Sequence, residues 1–251
     1  MLTHPILENL RTLRLSTMAK MLEEQMNMPD AGTLTFEERL GLMVDRELIE
    51  RGNRRLQTRL RKARLRVQAC MEDIDYSHPR KLDRSVMKSL ASCNWIDQHQ
   101  SVLITGPTGA GKTWIACALG HRACMEGYTV LYKRLPGFLR EFSTARADGS
   151  YGKLVRACSK ADLLIIDDWG LKRLDQQQSL DLLELLEDRY NLKSTIVAAQ
   201  IPSGKWHETI ADPTLADAIL DRLIHNSHRI ELKGESMRKK KSGLTDKKKK
   251  D

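Results

Sequence analysis

The residues best equipped for chemistry lie between Gly106 and Thr113, in the string GPTGAGKT. It fits the pattern G-x-x-x-x-G-K-[ST] of a phosphate-binding loop. Gly106, Gly109 and Gly111 let the backbone curl so that its N–H groups turn inward on phosphate oxygens. Lys112 is long enough to reach the β- and γ-phosphates, and the Thr113 hydroxyl suits Mg²⁺. The whole loop (Gly106, Pro107, Thr108, Gly109, Ala110, Gly111, Lys112, Thr113) is the candidate nucleotide cradle, the alternative being an ordinary glycine turn. A second candidate is DLLIIDD, Asp162 to Asp168, an apolar run ending in acid. There Asp167 would hold Mg²⁺ through its water shell and Asp168 would polarise an attacking water. Many ATPases place a Glu at the latter position; Asp reaches less far by about 1.5 Å. The alternative is a surface turn carrying two neighbouring carboxylates.

Both sets need strands to carry them. SVLIT (101–105) is a short apolar run before the glycine turn, and a helix should run from near Gly111 to about Met125. TVLYK (129–133), DLLII (162–166), STIVAA (194–199) and HRIEL (228–232) read as further strands. Helices are expected from about Pro136, from Gln177 to Asn191 and from Pro213 to about Asn226. Such alternation implies an α/β fold: a parallel sheet flanked by helices on both faces.

The N-terminal part has a different rhythm. Leu7, Leu10, Met18, Met21 and Leu22 recur at helical spacing until Pro29 and Gly32 break it. Thr35 and Glu38 form a capping box for the next helix, with Phe36, Leu40, Val44 and Leu48 lining one face. From Arg51 to Arg66 the chain carries eight cations and no acid, with Gly52 a candidate break and Leu56, Leu60 and Ala63 a buried stripe. Ser77-His78-Pro79 ends any helix, and Asp83 caps a short one to Ala91. The expected organisation is a small all-helical domain over 1–75, a nucleotide-binding domain over 76–237 and a basic, disordered tail over 238–251.

The chain has 251 residues and a formal charge of +9, which favours a polyanionic partner. An acidic-free arginine run on one helix can follow a phosphate backbone, so Arg54, Arg55, Arg59, Arg61, Lys62 and Arg66 are candidate DNA contacts. The alternative is a solvated face or contact with acidic helices of a partner. The cysteine count is odd at five, with no CxxC spacing, which argues against a disulfide scaffold or zinc knuckle. Neither a signal peptide nor a run of about 18 apolar residues is present, so the expected place is the cytoplasm.

GPTGAGKT, LLIIDDWG (163–170), STIVAAQ (194–200) and ILDRLIHNSHRIELKGESMRKK (219–240) together resemble the AAA+ ATPases of the IstB type. These are transposition helpers of insertion sequences, relatives of the DnaC helicase loaders and DnaA initiators. The resemblance extends into the N-terminal LRLSTMAKMLEE and its arginine-rich helix. It implies an ATPase dependent on ATP and Mg²⁺ that self-associates into an oligomer on duplex DNA and recruits a partner transposase. It also implies roles for single residues. Gln200 matches a sensor beside the γ-phosphate. Arg222 resembles an arginine finger reaching a neighbouring subunit, with Arg229 a second candidate; the alternative for Arg222 is a surface pair with Asp221 or Asp217. Arg238 lies near a second sensor arginine, although only a lysine-rich stretch follows it, so the lid of fuller AAA+ proteins is expected to be minimal or absent. In relatives the region of Lys133, Arg134 and Arg140 faces a central pore, which makes these further candidate DNA contacts.

Two other functions compete. A helicase loader acting on single-stranded DNA would share the core, but would favour stacking aromatics, and these make up only 5% of the chain. A monomeric small-molecule P-loop kinase would have no use for the basic helix and tail.

Overall fold

The computed structural model describes residues 5–27, 34–234 and 236–237. The chain divides into two compact units, residues 1–58 and 59–251.

The first unit is helical: α1 (Pro5–Thr12), α2 (Ser16–Met26) and most of α3 (Phe36–Ala63). The capping box that opens α3 is formed: the Thr35 N–H donates to Glu38 at 2.8 Å and the Glu38 N–H to Thr35 Oγ1 at 3.2 Å. Leu15 precedes α2 and has no side chain able to cap it. Glu47 of α3 does so instead, accepting from the N–H groups of Thr17 and Met18 at 2.9 and 3.1 Å while Arg51 Nε donates to its other oxygen at 2.7 Å. These bonds outweigh the cost of burial and hold the Glu47 pKa below the usual carboxylate value. Helix α3 departs from the simplest reading of its pattern in two ways. The face of α3 turned inward carries Met43 and Glu47, whereas Phe36, Leu40, Val44 and Leu48 are exposed. Gly52 does not break α3, which continues for 28 residues. The penalty of about 1 kcal/mol for a helical glycine is small against the cooperativity of so long a helix.

The second unit is built on a parallel five-stranded sheet in the order β2-β3-β4-β1-β5. Its strands are β1 (Ser101–Thr105), β2 (Val130–Arg134), β3 (Leu163–Trp169), β4 (Ser194–Ala199) and β5 (Ser227–Glu231). β1 and β4 are buried along their whole length, as parallel central strands covered on both faces must be. The helices are α4 (Arg84–Ala91), α5 (Asn94–Asp97), α6 (Lys112–Met125), α7 (Leu135–Ala147), α8 (Tyr151–Lys160), α9 (Gln176–Arg189) and α10 (Pro213–Ile224). Local chemistry sets their starts. Asp83 caps α4, Asp175 and Gln178 form a capping box on α9, and Asp212 caps α10 ahead of its Pro213. No helix among the described residues is long and apolar enough to cross a membrane.

The sequence division at residue 75 differs from the one in the structure. Arg59 onward belongs to the second unit because this stretch packs on α6. Arg59 Nε donates to the Cys124 carbonyl at 2.8 Å, and Ala69 is buried with Cys117 and Ala118. Helix α8 is an addition to the sequence reading. Buried Arg189, at the end of α9, donates to the carbonyls of Cys158 and Ala161 at 2.6 and 2.8 Å and to that of Ser194, joining the end of α8 to β4. Burial lowers the Arg189 pKa to about 10.

Candidate nucleotide site

Four strand ends supply the site, at the carboxyl edge of the sheet where open α/β folds bind ligands. The glycine loop leaves β1, Arg134 ends β2, Asp167 and Asp168 lie near the end of β3, and Gln200 follows β4. A cleft of about 780 Å³ opens over them, lined among others by Arg66, Arg80, Lys112, Arg134, Asp168 and Gln200.

The loop adopts the curl its glycines predict. Gly106 sits at φ 149°, and a Cβ there would lie 2.5 Å from the Leu232 carbonyl oxygen. Gly111 sits at φ 96°, where a Cβ would lie 2.5 Å from an Arg80 nitrogen. No other residue fits either position without displacing backbone or a buried guanidinium. Gly111 is the N-cap of α6 and offers no side chain to its first turn, so the positive end of the helix faces the loop. The ammonium of Lys112 donates to the carbonyls of Gly106 and Pro107, each at 2.8 Å. Thr108 Oγ1 donates to Gln200 Oε1 at 2.9 Å, so the residue after β4 touches the loop after β1.

Asp167 is 1% exposed. Its Oδ2 accepts from Thr113 Oγ1 at 2.7 Å and from the Tyr132 hydroxyl at 2.6 Å, and its Oδ1 from the Asp168 N–H at 2.9 Å. Thr113 and Asp167 thus bring a hydroxyl and a carboxylate oxygen together, the hard-oxygen donors Mg²⁺ takes beside phosphates. Burial and the Asp167 carboxylate push the Tyr132 pKa far above the ordinary phenol value, so Tyr132 stays a donor. Asp168 has φ 63°, a left-handed conformation few non-glycine residues hold. This turn breaks the β3–β4 register between Ile166 and Trp169 and aims the carboxylate into the cleft, where it lines the wall. Behind it Trp169 is wholly buried, its ring 5.3 Å from that of Trp206.

Two residues expected to touch DNA are found on these acids. Arg134 Nε donates to Asp168 Oδ2 at 2.5 Å. An Arg66 nitrogen lies 3.6 Å from Asp168 Oδ2 and 3.9 Å from Asp167 Oδ2. Burial opposes the Arg66 charge, but Tyr132 and the two carboxylates prevail and raise its pKa above the ordinary arginine value. Lys133 pairs with Glu141 and lies 5.2 Å from the centre of the Phe138 ring. Arg54 donates to Ser16 and Thr17 within the first unit. Arg55, Arg61, Lys62 and Arg140 are exposed.

Arg222 does not line the cleft. It pairs with Glu187 at 2.5 Å and with Asp221 at 3.5 Å, while Asp217 pairs with His207 instead. Arg229 is exposed on β5. Arg238 and the basic tail lie outside the described residues, but Met237 just before them donates its N–H to the Gly109 carbonyl at 3.0 Å. Arg80 and Tyr132 are site residues that no motif marks. Arg80 is 2% exposed and donates to the carbonyls of Ala110 and Asp75 at 3.1 and 3.0 Å, bracing the loop; burial lowers its pKa.

A family model described as IstB-like ATP binding protein matches residues 8–245. A putative insertion sequence ATP-binding protein of Sinorhizobium fredii is 49% identical over 239 residues, covering 95% of this chain and 98% of that protein. The insertion sequence IS21 putative ATP-binding protein of Pseudomonas aeruginosa is 30% identical, covering 94% and 90%. Among solved structures, that of DnaI is similar with a TM-score of 0.57 at 18% identity, covering 66% of this chain and 91% of that one. The replication initiator DnaA bound to AMPPCP and single-stranded DNA gives 0.57 at 18%, covering 68% and 52%. At such identity these structures speak for a shared fold alone.

Proposed function

Because the chain belongs to the IstB-like family of insertion-sequence ATP-binding proteins, we propose that it is an ATP-dependent transposition helper that assembles on duplex DNA, hydrolyses ATP and recruits a transposase. The observation that carries the reading is the meeting of Thr113, Asp167, Thr108 and Gln200 around one loop. That arrangement can bind a triphosphate, hold Mg²⁺ and orient a water.

In this reading Thr113 and Asp167 would hold the magnesium, which would neutralise charge on the β- and γ-phosphates. Lys112 exchanges its two loop carbonyls for phosphate oxygens. Gln200 turns from Thr108 toward the water beside the γ-phosphate, and Asp168 takes its proton. Arg222 leaves Glu187 to neutralise charge at a neighbouring subunit's nucleotide. Exposed Arg55, Arg61, Lys62 and Arg140 follow DNA phosphates. Such contacts carry no base information, so binding tolerates sequence and weakens steeply with salt.

Electron microscopy of the protein with Mg-ATP and duplex DNA, beside Lys112→Ala, tests the proposal. Ordered oligomers on DNA are expected for the wild type alone. Equal assembly of both proteins would refute ATP dependence, and preference for single-stranded over duplex DNA at fixed salt would move the function to helicase loading.

A further inference from the structure

Among the described residues two arginines are buried, Arg80 and Arg189, and their surroundings differ. Arg189 donates from each of its nitrogens: Nε to Thr195 Oγ1 at 3.2 Å, the other two to carbonyls of the core. Arg80 donates to the carbonyls of Ala110 and Asp75 and, at 3.0 Å, to the thioether of Met237, a weak acceptor. Its Nε is buried and has no hydrogen-bond partner among the described residues. The carboxylate of Asp75 acts on it only from a distance, because that group is engaged by the N–H and hydroxyl of Ser77. A buried guanidinium keeps its proton, and buried charges are as a rule paired. The charge of Arg80 has no ion-pair partner among the described residues.

That charge lies against the loop suited to phosphate. Arg80 lines the cleft, and one of its terminal nitrogens would stand 2.5 Å from a Cβ at Gly111. The loop's carbonyls are held by donors of the protein itself: those of Gly106 and Pro107 by Lys112, that of Gly109 by the Met237 N–H, and that of Ala110 by Arg80. In a trans peptide the N–H points opposite to the C=O, so each of these bonds turns an N–H the other way. The Ala110 carbonyl and the Gly111 N–H belong to one peptide. A cation on its oxygen polarises that N–H and makes it a stronger donor. Gly111 is also the N-cap of α6, so the guanidinium and the positive end of the helix act on the same anion.

We propose that Arg80 is a nucleotide-binding residue, a buried second cation of the phosphate cradle beside Lys112, whose unpaired charge draws a polyphosphate onto the Ala110–Gly111 peptide. This role rests on the ATP-site reading of the cleft and adds to it a residue outside the glycine-loop motif. It goes further than bracing. Bracing needs only the donors of Arg80, whereas attraction of a polyphosphate needs its charge, and two substitutions separate the two.

The experiment titrates ATP, ADP and AMP, at fixed magnesium and salt, into wild type, Arg80→Gln and Arg80→Lys. Gln keeps donors for a carbonyl and gives up the charge; Lys keeps the charge and gives up the planar fork. Arg80→Gln should bind Mg-ATP about tenfold more weakly or worse, the low end for a hydrogen bond to a charged group. Its loss should shrink from ATP through ADP to AMP as phosphate charge falls. Arg80→Lys should stay near wild type at neutral pH and weaken as pH rises, because a buried ammonium loses its proton where a guanidinium does not. Urea melts without ligand show which variants are folded, and should Arg80→Gln fail to fold, the pH series of Arg80→Lys decides by itself. Equal loss in both variants, an equal loss for all three nucleotides, or a flat pH series in Arg80→Lys would leave Arg80 a brace and overturn the proposal. So would unchanged Mg-ATP affinity in Arg80→Gln. A wild type with no affinity for Mg-ATP defeats instead the ATP-site reading beneath it.

Discussion

At the scale of single residues, holding a nucleotide and hydrolysing it, as proposed, fall to different side chains of the site. Lys112 already donates to the loop's own carbonyls, so it needs only a short swing to reach phosphate. Lys112→Ala should lower affinity for Mg-ATP by about 2–3 kcal/mol, the worth of a charged hydrogen-bond donor lost from a binding site; isothermal titration measures it, and unchanged affinity would contradict the loop's role. Asp168→Asn should keep Mg-ATP affinity while turnover falls by about 10²-fold or more, the usual contribution of a positioned base. Stopped-flow binding beside phosphate release separates the two effects. Tyr132→Phe removes one of three donors to Asp167 and should shift the magnesium requirement without unfolding the chain.

At the scale of elements, the helices of the first unit show that periodicity alone assigns a face poorly. Phe36, Leu40, Val44 and Leu48 are four apart and form a clean stripe, yet the side that packs carries Met43 and Glu47. The reason is electrostatic: α2 lacks a capping side chain, and Glu47 serves its open N–H groups only if that side of α3 turns inward. Leu48→Ser should therefore change unfolding free energy by less than about 0.5 kcal/mol, while Met43→Ala costs about 2 kcal/mol or more. Urea melts at one pH decide between them. Glu47 also sets a pH signature. Its folded pKa lies below the unfolded one, so its stabilisation is complete above the unfolded value and disappears as pH falls through the folded value. Glu47→Gln should be less stable than wild type near neutrality and converge with it in acid. A constant difference at all pH values would exclude the charged cap.

At the scale of the whole molecule, the arginine-finger assignment requires more than one chain. Arg222 has partners within its own subunit and none of the cleft residues among them. If it acts across subunits, Lys112→Ala and Arg222→Ala chains, each inactive alone, should regain part of their turnover when mixed. Mixed assemblies contain some interfaces with an intact loop facing an intact arginine. No recovery at any mixing ratio would leave Arg222 as the intrachain ion pair with Glu187. Arg189 belongs to the same scale, because it binds the ends of α8, α9 and β4. Truncation to Ala should cost about 3 kcal/mol or more by leaving several buried carbonyls without donors.

The sequence by itself determined the glycine loop, the acid pair, the five strands to within a residue or two at most ends, and the family. Each of these is written in contiguous residues: a loop must curl, a buried parallel strand must be apolar throughout, and a helix must be capped. Only the tertiary structure decided what Arg66, Arg80, Arg134 and Tyr132 do. Arg134 and Tyr132 meet the acids across the β2–β3 pairing, and Arg66 and Arg80 arrive from the stretch before β1. An arginine in a basic run has the same chemistry whether it faces a DNA phosphate or an aspartate. Which anion it meets is fixed by distance in the folded chain, and no spacing along the sequence encodes that distance.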